Sequence, residues 1–142
     1  MSLDAVIVIV DAALEQYRRS DSGDAFAQAR TAFPATLRSL TQNGYRLALV
    51  SSLESRTLEP LFLECFGMAI DCFTTVVAGN PFSLSGNCLD PIDLALHTMA
   101  VTPDFAASLT TSPHEQRQAT LRGILKAVTV EQTASAPEAL LA

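Results

Sequence analysis

The sequence predicts a doubly wound, Rossmann-like α/β fold, a parallel five-stranded sheet with helices on both faces. Three observations carry this: short apolar runs rich in β-branched residues, helical patterns with their own start and stop signals between them, and short links. Strands that alternate with helices in this way run parallel and are joined by right-handed crossovers.

Taken in order, the first strand is Val6 to Val10, a continuous β-branched run of the kind buried on both faces. The polar segment Glu15 to Arg30 follows, broken by the turn signal Asp21-Ser22-Gly23-Asp24, and fits neither pattern neatly. Pro34 suits a first helical position, Leu37 and Leu40 face inward, and Gly44 ends that helix as a left-handed cap. Tyr45 to Val50 is the second strand. Ser52 is placed to cap a helix through Phe66 that Gly67 closes, with Pro60 kinking or splitting it because its ring meets the preceding turn's carbonyl. Thr74 to Ala78 is the third strand, and Asp90-Pro91 opens a helix that runs to about Met99. Phe105 to Leu109 is the fourth strand. Ser112-Pro113-His114-Glu115 then opens a helix ending at Gly123, with Ser112 and Glu115 at capping-box spacing. Ile124 to Val130 completes the sheet, so residues 1–130 form one domain and the Ala-rich 131–142 is a tail, a short helix or disordered.

The chain's 142 residues suffice for one real core and not for two. A net charge of −6 argues against nucleic acid, whose binding needs clustered Lys and Arg. No run approaches the roughly 18 to 20 apolar residues of a membrane span, and Val6 to Val10 is too short for a signal-peptide core and lacks a basic lead-in. Cys65, Cys72 and Cys88, an odd count without a CxxC and each in apolar surroundings, read as buried thiols in a reducing compartment. A soluble, cytoplasmic protein is expected.

In such sheets the ligand crevice lies beyond the carboxyl ends of the strands. The segments there are Asp11 to Leu14, Ser51-Ser52, Gly79 to Asn87 and Thr110 to Glu115. Order and spacing, best in Phe33-Pro34 through Gly44-Tyr45-Arg-Leu-Ala-Leu-Val-Ser51 and in Val101-Thr-Pro-Asp through Ser112-Pro113 to Gly123, resemble the haloacid dehalogenase superfamily in its phosphoglycolate-phosphatase-like branch. The likeness covers about residues 4–130 and rests on four weak motifs together. Members attack a phosphate ester with an aspartate that closes the first strand, and a second aspartate two residues later serves as general acid and base.

The resemblance implies a core without a large cap, since little chain separates Leu14 from Pro34. It puts the nucleophile position at Ile9, the acid/base position at Asp11, and Leu14 at the leucine that follows in the family. A shift by two residues makes Asp11 the nucleophile and leaves Ala13 at the acid/base position. The phosphoryl-binding Ser is retained as Ser51, the lysine position falls on Asn87, the first metal-binding aspartate on Thr111 and the last acidic position on Glu115. The nucleophile, the lysine and the main Mg²⁺ carboxylate are therefore replaced, and these supply the main terms of phosphoryl transfer.

Each survivor also has a plain role. Asp11 can cap the following turn, Ser51-Ser52 suits a helix start, and Glu115 suits a capping box with Ser112. His114 reads as a solvent-facing first-turn residue and His97 as a late helical one, and no Gly-x-Ser-x-Gly elbow is present. Three functions follow. The first is a non-catalytic binding or interaction module without a cofactor, meeting a protein partner or a second copy of itself. The second is a Mg²⁺-dependent phosphohydrolase using Asp11, Ser51, Asn87 and Glu115, with Asp11 as nucleophile and the metal on Glu115 and backbone carbonyls. The third is an anion or small-molecule sensor whose crevice is lined by Asp11, Ser51, Ser52, Asn87, Thr110, Thr111 and Ser112.

Overall fold

The computed structural model describes residues 4–18, 24–67, 70–79, 91–124 and 126–129. Five strands, β1 (Ala5–Ile9), β2 (Arg46–Ser51), β3 (Thr75–Ala78), β4 (Ala106–Thr110) and β5 (Lys126–Thr129), form one sheet in the order β3-β2-β1-β4-β5. All four pairings are parallel. Among the described residues five α-helices accompany them: α1 (Asp11–Arg18), α2 (Asp24–Gln42), α3 (Ser55–Phe66), α4 (Pro91–Thr98) and α5 (Pro113–Leu121). Among the described residues no helix is long and apolar enough to cross a membrane.

β1 occupies the centre, and its side chains divide by period two between two apolar layers. Val6, Val8 and Val10 face α1, α2 and α3 together with Leu47, Leu49 and Leu109. Ala5, Ile7 and Ile9 belong to the layer that holds Ile92, Ala95 and Leu96 of α4 and Ala119 of α5. Every residue of β1 is buried, which is why its sequence has no polar alternation. On the first face Phe33 sits 4.5 Å from Phe66 between ring centroids, and Phe62 bridges to Phe66 and Phe73, so α2 and α3 share one aromatic cluster.

Several local expectations are corrected. The helix expected to begin at Pro34 begins at Asp24, with Pro34 inside it. Glu15 to Arg30, which fits neither pattern neatly in sequence, is divided between two helices, α1 taking its start and α2 its end. Tertiary burial of Phe33, Leu37 and Leu40 outweighs the one backbone donor that Pro34 removes. Ser52 does not cap α3: Glu54 occupies that position without a side-chain bond, and Pro60 lies inside the helix. Gly44, Gly67 and Gly123 do take the left-handed conformations expected at the helix ends. Cys65 is buried, whereas Cys72 is exposed. Cys88, Asn87 and the tail lie outside the described residues.

Within β4, Ser108 is fully buried and its hydroxyl has no hydrogen-bond partner among the described residues. An unpaired buried hydroxyl costs more than the methyl that could replace it. Ser108→Ala is expected to raise the unfolding free energy by about 1 kcal/mol in a denaturant titration. A loss of stability would mean that the hydroxyl is satisfied in solution.

Candidate functional site

The carboxyl ends of β1, β2 and β4 are brought level by the sheet register, which sets Ile9 beside both Val50 and Thr110. Just beyond them is a crevice of about 360 Å³. Ile9, Val50, Pro91 and Ile92 give it apolar walls, and Asp11, Ser51, Ser52, His114, Glu115 and Gln118 give it polar ones, with Gly79 completing the edge.

Two carboxylates hold the loops that frame this crevice. Asp11 opens α1, but its side chain turns across to the β2–α3 link. Its Oδ1 accepts from the Ser51 hydroxyl at 2.6 Å, and its Oδ2 accepts from the Ser52 amide and hydroxyl, both at 2.9 Å. The Ser51 hydroxyl in turn accepts from the Leu53 amide. Glu115 sits in the first turn of α5, where the Ser112 hydroxyl accepts from its amide, one half of the expected capping box. The other half is absent, because the carboxylate reaches elsewhere. Oε1 accepts from the amide and hydroxyl of Thr111, and Oε2 accepts from the Ala12 amide at 2.9 Å. The Thr111 hydroxyl also accepts from the Ala13 amide.

Glu115 is only 5% exposed. Burial pushes its carboxyl above the usual glutamate range, the amides of Ala12 and Thr111 and the Thr111 hydroxyl pull it back, and the charge of Asp11 adds to the rise. No described Lys or Arg lines the crevice. Arg46 bonds to Asp4 and the Met99 carbonyl, Arg56 pairs with Glu54, and Arg122 pairs with Asp93.

The sequence-derived candidates thus separate. Asp11, Ser51, Ser52 and Glu115 meet at the crevice, whereas Thr110, Thr111 and Ser112 are not among the described residues lining it. The Thr110 hydroxyl is buried and donates to the Ser112 carbonyl at 3.4 Å. The expected hydroxyl-rich wall is therefore mostly turned inward, because the β4–α5 link uses its own hydroxyls as caps. Pro91, Ile92 and Gln118 were not expected. Gln118 follows His114 by four residues and Glu115 by three, a helical spacing that could have revealed it. Pro91 and Ile92 reach the site only through the packing of α4.

The two crevice carboxylates are already engaged by their own chain. Among the described residues no group of three His, Cys, Asp or Glu is placed to hold a metal ion. Both oxygens of Asp11 and both of Glu115 already accept hydrogen bonds, so each carboxylate keeps only one open acceptor position.

Replacing Glu115 by Gln puts an NH₂ group against an amide donor, so Glu115→Gln should cost about 1–3 kcal/mol of stability near neutral pH. The raised carboxyl also fixes the sign of a pH effect. Between the usual glutamate value and the raised one, the folded state binds the proton more tightly than the unfolded chain, so Glu115's contribution falls as pH rises through that window. Urea unfolding of wild type and Glu115→Gln across this range should show the gap narrowing with rising pH. A gap that widens would contradict the assignment.

No family model matches the sequence, and no curated protein matches it significantly. Solved structures do resemble it. CbbY from Rhodobacter sphaeroides, in complex with phosphate, superposes with a TM-score of 0.61 at 16% identity, over 89% of this chain and 86% of that one. A protein of Haemophilus somnus described as a predicted phosphoglycolate phosphatase gives 0.52 at 20% identity, over 69% of this chain and 41% of the other. A haloacid dehalogenase-like protein of Bacteroides fragilis gives 0.53 at 11% identity, with 85% of each chain covered. The fold is that of haloacid dehalogenase-like proteins, with no large cap among the described residues.

Proposed function

We propose that this chain is a member of the haloacid dehalogenase superfamily that does not transfer phosphoryl groups and acts as a binding module built around the crevice. The observation that carries the reading is Ile9. It closes β1 and lines the crevice where the resemblance puts the family's nucleophile, and a hydrocarbon side chain cannot attack phosphorus.

The shifted register, with Asp11 as nucleophile, meets a different obstacle. Three donors from Ser51 and Ser52 hold its oxygens, and turning one toward a phosphate would strip those bonds. Charge points the same way. Phosphoryl transfer depends on cations that neutralise the equatorial oxygens, whereas two carboxylates and no described Lys or Arg line this crevice.

Wild type and Asp11→Asn, purified identically, are to be compared for Mg²⁺-dependent hydrolysis of p-nitrophenyl phosphate. Both should give the same background rate, and Ile9→Asp should not rise above it, because one restored carboxylate supplies neither the lysine nor the metal ligands. Turnover by wild type that vanishes in Asp11→Asn would end the proposal and make this a phosphohydrolase with a relocated nucleophile.

A further inference from the structure

Backbone amides at the carboxyl ends of parallel strands commonly cradle an anion. Here they are already committed. The Ser52 amide donates to Asp11, and the amides of Ala12 and Thr111 donate to Glu115. The next amides, of Leu53 and Ala13, donate to the hydroxyls of Ser51 and Thr111. The chain has placed its own carboxylates where an external anion would bind, so a phosphate would find few donors and two negative charges.

What faces the crevice instead is negative charge above an apolar wall. No described Lys or Arg lines it, and the segment 80–90, which joins the lining residues Gly79 and Pro91, contains neither residue in its sequence. Asp11 accepts three hydrogen bonds, while a carboxylate offers roughly four lone-pair sites, so one acceptor position remains. Ile9, Val50 and Ile92 supply a surface for hydrocarbon next to it. A crevice of about 360 Å³ is of a size with small-molecule sites.

We propose, building on the non-catalytic reading of this same crevice, that it binds a small organic cation, an ammonium group directed at Asp11 with its apolar body against Ile9, Val50 and Ile92. A charge held partly out of water attracts an opposite charge more strongly than it would in bulk. An ammonium can point one of its three N–H bonds at that open position and leave the others to water, whereas a divalent metal needs several oxygens at once.

The test is an NMR titration of the full chain with benzylammonium, with benzyl alcohol as its uncharged counterpart, and with inorganic phosphate. Benzylammonium should move the amide signals of Ser52, Gly79 and Ile92 and bind at least tenfold tighter than benzyl alcohol. That preference should shrink as salt is added. Phosphate should leave those signals in place, and Asp11→Asn should abolish the preference. Should that variant fail to fold, the wild-type comparison of the two benzyl ligands decides alone. Equal binding of the two, binding of neither, or phosphate binding at these residues would overturn the proposal. With hydrolysis still at background, such a failure leaves the non-catalytic reading standing. Mg²⁺-dependent turnover lost in Asp11→Asn would instead remove that reading itself.

Discussion

At the carboxyl end of the sheet, amides from three separate segments converge on one small volume, and amides drawn partly out of water need acceptors. Asp11 and Glu115 supply them. Glu115 ties the β4–α5 link to Ala12 across 103 positions of sequence, and Asp11 ties the start of α1 to the β2–α3 link. The arrangement costs something, since Glu115 is nearly enclosed and its carboxyl is pushed upward. Removing it would leave amides without partners, a larger penalty than burying the charge with its bonds made. The geometry of the crevice rests on these two braces.

The same braces limit what the crevice can do. A carboxylate that serves as acceptor for its own chain is hindered as a nucleophile, because attack needs an oxygen turned out of its existing bonds. Around them the sheet contributes hydrocarbon from Ile9 and Val50, side by side at its carboxyl edge, and the Ser51 hydroxyl. The fold shared with CbbY and other haloacid dehalogenase-like proteins establishes a scaffold, and chemistry has to be argued from the side chains that occupy it. In this chain those side chains are the ground for proposing that the crevice holds a ligand rather than transforms one.

Much of the architecture was legible in the linear sequence. β1 betrayed itself as a doubly buried strand by an unbroken β-branched run, and Gly44, Gly67 and Gly123 marked helix ends because only glycine takes those backbone angles cheaply. The extent of α2 was not legible, since Pro34 argues locally for a start and only packing against α3 explains a helix running through it. The identities of Asp11, Ser51, Ser52 and Glu115 as crevice residues could be read from their places after strands in a parallel sheet.

Their roles could not. Ser52 has the chemistry of a helix cap and Glu115 that of a capping box, and both descriptions are sound for isolated segments. The sequence by itself determined the element order, the sheet type and which residues stand at its carboxyl edge, because periodicity and capping are local. Tertiary structure alone decided that Ser52 serves Asp11, that Glu115 serves Ala12 and Thr111, and that α4 walls the crevice with Ile92. The physical reason is that hydrogen-bond acceptors are chosen by proximity in space, and Ser52 with Asp11, like Ala12 with Glu115, are partners tens of residues apart along the chain.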